Sequence, residues 1–340
     1  MWFTATGWFV PLRDDAFDLA RQRTGAQASF DVSELTVVSP PRGVHAVAAR
    51  VRRGLSDAVS DIDPRRAALL EGLTIGETSG LSQMTIDSFR AAGLSHVLAV
   101  SGSNVAIVLA AVSVALGAMG SRSRITLSYI ALALFVLVVG PDASVLRAGV
   151  MGAITLACLL KGKTAEPLAA LGLAVIAVIA LRPGMLFSPG LQLSAAATAG
   201  IVVFCEPLAR RLALLPQALR LMLAATLAAQ IAVAPLLILV FGEISLIAPV
   251  ANALALPAVG PATVLGLGAG LLSTLVPTFG RPLGALVSPA AGWILAVADR
   301  FGAFSWSLVH VPVWVGWPLL AVIAGAAGRI LRRGPSHGAG

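Results

Sequence analysis

Residues Gly93 to Val105 read GLSHVLAVSGSNV, and an apolar run continues from there to Met119. Glycine, histidine, serine and asparagine thus stand at the mouth of a stretch that otherwise reads as membrane-spanning. A polar group left unpaired in hydrocarbon costs several kcal/mol. The segment therefore reads as an entrance that starts in water, dips into a bilayer and keeps a polar face on something.

The rest of the chain agrees with a bilayer. Of 340 residues, 57% are hydrophobic and 12% charged, with a mean hydropathy of +0.90. A soluble domain carries roughly a quarter charged residues. Apolar blocks of about 16 to 25 residues recur, each able to cross hydrocarbon at about 1.5 Å per residue. A soluble all-α protein is excluded because these blocks are apolar all round. The expected fold is an all-α polytopic membrane protein of about ten spans, with eight to twelve as the range. The windows are 97–119, 125–140, 145–161, 167–182, 190–205, 219–241, 244–259, 262–276, 283–302 and 313–331. Pro235, Pro249, Pro257 and Pro289 fall inside them, and interrupted helices are common where a substrate passes.

Ahead of the spans lies a water-exposed part with mixed structure. Ala28 to Ser39 alternates and is rich in Val and Thr, which predicts strand, ended by the turn Pro40–Gly43. Met1 to Val10 is apolar but too short to span, and it lacks the basic start of a signal peptide. From Val44 to Ile62 apolar residues recur at helical spacing, giving an amphipathic helix that lies either on a membrane surface or on a packed core. A second helix is expected from Pro64 to about Leu73, capped by Asp63. Met84 to Ala92 reads as a short helix ending at Gly93. The division placed on the chain is 1–63 as an extracytoplasmic region and 64–340 as the membrane domain.

Charge sets the orientation. Residues 1–93 hold 10 Lys/Arg and 11 Asp/Glu, against 14 and 5 in residues 94–340, so the membrane part supplies the whole net charge of +8. Arg122, Arg124, Lys161, Lys163, Arg210, Arg211 and Arg220 lie in the odd-numbered connections. The second connection, Pro141–Ser144, and the sixth, Gly242–Glu243, have none. Odd connections are then cytoplasmic and residues 1–93 face outside. Ten spans also put the C-terminus outside, against the sense of Arg332 and Arg333. Cys158 and Cys205 read as small hydrophobes. The four histidines form no metal-ligand spacing, and no GxxxxGK[ST] loop occurs. No cofactor, no metal and no enzymatic activity are expected of this chain.

GLSHVLAVSGSNV is followed by PDASVLRA (Pro141–Ala148), SPGLQLS (Ser188–Ser194), AAQIAVAP (Ala228–Pro235) and FGEISLIAPVANALALP (Phe241–Pro257). Together, over roughly residues 65 to 331, these resemble the competence domain of the ComEC family. Residues 64–340 are then a competence-type transmembrane domain. The resemblance implies a channel component that takes up single-stranded DNA across the bacterial cytoplasmic membrane during natural transformation. The implied partners are single-stranded DNA, a DNA receptor, a DNA-translocating ATPase and the lipid bilayer. Whether one protomer conducts alone or as a homodimer stays open. Many members have His where this chain has Asn104, so a role needing imidazole does not carry over. The metallo-β-lactamase-like domain of full-length members is missing from this chain, and the upstream oligonucleotide-binding-type domain is at most partial, in residues 1–40.

The candidate path residues are His96, Ser101, Gly102, Asn104, Asp142, Arg147, Gln192, Ser194, Gln230 and Asn252. His96 either meets phosphate at the outer mouth or caps a helix end. Ser101, Gly102, Ser103 and Asn104 form either a wet constriction or a close helix contact. Arg147 either holds phosphate in the path or pairs with Asp142, since an intramembrane charge faces a cavity or a partner. Gln192, Ser194, Gln230 and Asn252 bond passing bases without deep trapping, or else bond neighbouring helices. Glu243 reads as a solvated loop charge, and Trp306, Trp314 and Trp317 as an interfacial belt. Two other functions fit less of this pattern. A secondary transporter of a small anionic solute needs inverted repeats, and none is evident. An intramembrane hydrolase using Ser101 with His96 lacks a third orienting group.

Overall fold

The computed structural model describes residues 3–11, 28–37, 42–98 and 100–332. Pro40, Pro41 and Arg333, used above for a turn and for orientation, lie outside the described residues. Two strands, β1 (Phe3–Pro11) and β2 (Ala28–Val37), pair antiparallel from Phe3 opposite Val37 to Pro11 opposite Ala28, with a register shift at Thr6/Gly7. The start of the chain is therefore strand, which its apolar composition had hidden.

Four helices follow: α1 (Val44–Val59), α2 (Pro64–Ile75), α3 (Gln83–Ala91) and the single turn α4 (Ser95–Leu98). The Asp63 side chain accepts from the Arg66 N–H at 3.1 Å, and Pro64 opens the first turn. Proline suits that position because its missing N–H has no intrahelical partner there. Gly76 and Gly93 close α2 and α3 with φ of 76° and 71°, the left-handed region that glycine enters without penalty.

The membrane bundle contains α5 (Gly102–Ala115), α6 (Ser121–Val139), α7 (Ala143–Leu160), α8 (Pro167–Leu181), α9 (Pro189–Arg211) and α10 (Gln217–Phe241). After the short strand β3 (Glu243–Ser245) come α11 (Ala248–Leu275) and α12 (Pro277–Gly302), then β4 (Leu308–His310) and α13 (Gly316–Arg332). Among the described residues seven helices are long and apolar enough to cross a membrane, and α5 and α8 are shorter apolar ones. This is an all-α, multi-pass membrane architecture.

The ten windows need one correction. Windows 244–259 and 262–276 are one helix of 28 residues, α11, with Pro257 and Pro261 inside it. Proline removes one hydrogen bond, and neighbouring helices make that tolerable in a membrane bundle. β3 pairs with β4, Glu243 opposite His310. The connections before α11 and after α12 therefore lie on one side, which requires an even number of crossings between them. Three windows there had implied an odd number.

The α1 stripe is packed. Ala48, Val51, Leu55 and Val59 are buried in a core shared with α2, α11 and α12. Glycines make this approach close. A Cβ on Gly54 would collide with Thr274 and Gly270, and one on Gly284 with the Ala58 carbonyl. Arg52, on the same turn of α1, donates to the carbonyls of Val138 and Val139 at 2.6 and 2.8 Å. A cation at a helix C-terminus stabilises the partial negative charge there. One turn of α1 thus joins the end of α6 to the α11–α12 turn.

Candidate functional site

The GLSH stretch turns because Gly93 lacks a side chain. A Cβ on Gly93 would strike Ala248, at the start of α11. His96 in α4 is exposed. Ser101 precedes α5 in extended conformation, and its hydroxyl bonds that of Ser103. Asn104 is buried, and its amide donates to the Leu73 carbonyl at 2.8 Å. That bond ties α5 to α2, so Asn104 acts as a stitch in this conformation.

Arg147 stands one turn into α7 with 4% of its surface exposed. Its Nε donates to Ser194 Oγ of α9 at 2.9 Å, and Nη1 lies 3.1 Å from Met151 Sδ. The guanidinium also rests against the start of α5, where a Cβ on Gly102 would collide with Nη2. Asp142 is exposed and makes no cap bond, and the alternative Asp142–Arg147 pair does not form. Among the described residues no carboxylate pairs with Arg147. A buried charge without a counter-charge is costly, and the positive end of α5 adds to the same field. The combination is a buried positive charge at the junction of three helices.

A second polar cluster joins α10, β3, α11 and the α3–α4 turn. Gln230 reaches the Ser245 carbonyl at 3.4 Å, and the Ser245 hydroxyl donates to Ala91 O at 2.8 Å. Asn252, 4% exposed, donates to Ala248 O at 2.8 Å and to Gly93 O at 3.4 Å, while its Oδ1 has no partner. Gln192 is apart from both clusters and donates to Leu186 O at 3.0 Å. Arg147 and Ser194 are thus brought together with Gly102, and Gln230 with Asn252. The two groups are separate in this conformation. A groove of about 1050 Å³ between α1, α6 and α7 touches neither.

Glu243 corrects the sequence reading. It is buried, bonded to Arg90 Nε, with His310 Nε2 at 4.0 Å. Only the β3–β4 pairing and the fold of α3 bring these groups together, from positions far apart in the chain. Arg65, which also carried no signal, binds Asp299 with two hydrogen bonds of 2.7 and 2.6 Å. The pair keeps the Arg65 guanidinium pKa above its ordinary value, the hydrogen bond to Asp299 contributing most. Trp306, Trp314 and Trp317 are all exposed, as interfacial rings are.

The stretch that holds both clusters is also the stretch that carries a family signature. The profile of the Competence protein family matches residues 73–335. The chain belongs to that family. It is 26% identical over 261 residues to ComE operon protein 3 of Bacillus subtilis (strain 168). That alignment covers 74% of this chain and 33% of the relative, so the chain spans about a third of the relative's length. No solved structure matches the chain. The match begins at Leu73, the residue whose carbonyl receives Asn104, and leaves out β1, β2, α1 and most of α2. Within this competence-family region lie all ten candidate path residues. Among the described residues no group of three His, Cys, Asp or Glu side chains is placed to hold a metal ion.

Proposed function

We propose that this competence-family chain is a membrane channel component for uptake of single-stranded DNA. The observation that carries this reading is Arg147, buried without a carboxylate between Gly102 and Ser194. A strand of phosphodiesters needs local positive potential, close backbone approach and uncharged hydrogen-bonding groups that release it. Ser101, Gly102, Ser194 and Arg147 offer these at one junction. Arg147 is too enclosed to meet a strand as it stands, so we take this conformation as closed. Opening separates the start of α5 from α7 and α9. Gln230, Asn252 and His96 form the second contact zone, toward the α3–α4 turn.

The channel lies in the cytoplasmic membrane with residues 1–93 outside. Because one turn of α1 touches both the end of α6 and the α11–α12 turn, we read α11 and α12 as returning to the outer side; α5–α10 and α13 then make an odd number of crossings, which ends Arg329 and Arg332 in the cytoplasm, as Lys/Arg bias favours. A DNA receptor delivers the strand outside, and a separate DNA-translocating ATPase supplies the energy.

The test is internalisation of labelled DNA by cells carrying Arg147→Ala, Arg147→Lys or Gln230→Ala, with membrane insertion measured in parallel. Loss in Arg147→Ala with partial retention in Arg147→Lys is expected. Normal import by both Arg147→Ala and Gln230→Ala sinks the assigned path. Normal DNA import with loss of transport of a small anion in Arg147→Ala instead identifies a solute transporter.

A further inference from the structure

The groove between α1, α6 and α7 is separate from the polar clusters and has a different chemistry. Its walls are apolar: Leu132, Val136, Leu137, Leu146, Val150 and Ala153 line it. Such walls do not suit a phosphodiester path, because each buried polar group there would lack a partner. The groove's volume, about 1050 Å³, is at the top of the ~300–1,000 Å³ range of small-molecule pockets.

Its dimensions match one half of a bilayer. Along α6 it runs from Tyr129 to Gly140, about 16 Å at about 1.5 Å per residue. Half of a hydrocarbon core is about 15 Å. The groove therefore begins at the membrane surface, at the α6–α7 connection, and ends near the bilayer midplane.

The surface end is cationic. Arg52 lies there, Arg182 and His45 also line the groove, and no acidic residue does. Arg52 spends Nε and Nη2 on Val138 and Val139, which fixes its guanidinium beside Gly140. Arg182 is exposed and has no ion-pair partner among the described residues. Asp142 and Glu77 are nearby in sequence or field, yet neither lines the groove.

An apolar slot one leaflet deep, with Arg52 at its interfacial end and Arg182 in its lining, is complementary to one class of molecule. We propose that this groove binds an anionic glycerophospholipid, an acyl chain lying between α6 and α7 and the phosphate between Arg52 and Arg182. Basic pockets between membrane helices hold anionic headgroups by the same physics. Bound there, the lipid would brace α1 against α6 and so steady the join between the bundle and the α11–α12 turn.

The experiment uses the full chain in detergent with equimolar phosphatidylglycerol and phosphatidylcholine, and native mass spectrometry reads the retained lipid. Wild type is expected to keep phosphatidylglycerol preferentially, and Arg182→Gln to lower that preference about fivefold. Ala133→Trp, placed on an exposed lining position, fills the slot and should abolish retention of both lipids. A photoactivatable phosphatidylglycerol should label peptides within residues 129–153 in wild type, which keeps the test decisive if the tryptophan variant fails to fold. Equal retention of the two lipids, unchanged retention in both variants, labelling elsewhere, or complete displacement by inorganic phosphate alone overturns the proposal.

Discussion

Arg147 and Gly102 occupy one space: the guanidinium of the first fills the volume where the second would carry a Cβ. Gly102→Ala should therefore displace the flexible end of Arg147 and break its 2.9 Å bond to Ser194. DNA internalisation should fall sharply while the amount of inserted protein stays near wild type. Ser194→Ala removes the same hydrogen bond from the other side, and its thermal stability should drop by about 1.5–3 kcal/mol, the range for bonds to charged groups. Normal uptake by Gly102→Ala would separate this junction from conduction.

The α1 contact is tested at Gly284. A Cβ there meets the Ala58 backbone carbonyl, which cannot move as a side chain can. Gly284→Ala should cost about 1–3 kcal/mol, the usual range for overpacking, read as a lower melting temperature in detergent.

Glu243 and Arg90 form a pair in which the carboxylate is buried and the arginine half open. Arg90→Met leaves the carboxylate without its partner and should lower the melting temperature. Adding Glu243→Leu should recover part of the loss, because removing one partner of a buried pair costs more than removing both. A double variant no more stable than Arg90→Met would count against this account.

Glu77 gives a pH signature outside the membrane segments. The Ser79 hydroxyl and then its backbone N–H, at 3.1 Å, hold the Glu77 carboxyl below its ordinary value of 4.5, with Arg52 adding to them and burial opposing. A depressed carboxyl stabilises the fold above 4.5 and loses that contribution as pH falls through its lower folded value. The effect on stability is small because Glu77 is exposed. Carboxyl NMR should show titration below 4.5, and Ser79→Ala should move it upward.

Topology is tested with cysteines at Leu246 and Trp306, both more than half exposed, after Cys158 and Cys205 are replaced by Ala. The β3–β4 pairing requires both to react with a membrane-impermeant maleimide added from the same side. Reaction from opposite sides would contradict the pairing.

The sequence shows most of the bundle because helices apolar all round leave a simple imprint. The α2 cap at Asp63 was equally legible, since its signals are local. What stayed hidden is long-range. Residues 260–261 read as a break between two spans, with Pro257 inside the first, yet α11 runs through Pro257 and Pro261 as one helix. Glu243 read as solvated because nothing near it in sequence announces Arg90 or His310. At the candidate site, Gly102, Arg147 and Ser194 were each singled out separately. Their meeting depends on how α5, α7 and α9 pack, which no single segment encodes. Asn104 and Asn252 read either as path-lining or as helix-bonding groups, and in this conformation each donates to a backbone carbonyl.

The prolines of α11 have a mechanical consequence. Lacking amide hydrogens, Pro257 and Pro261 cannot bond the carbonyls of Ala253 and Pro257, four residues back. One half of the rod is anchored through Asn252 at Gly93, and the other through Gly270 at Leu55. A rod fastened at both ends and softened at its centre works as an elbow. Rotation of its first half could change the Gln230–Asn252 cluster while the grip of α1 on the far half holds still.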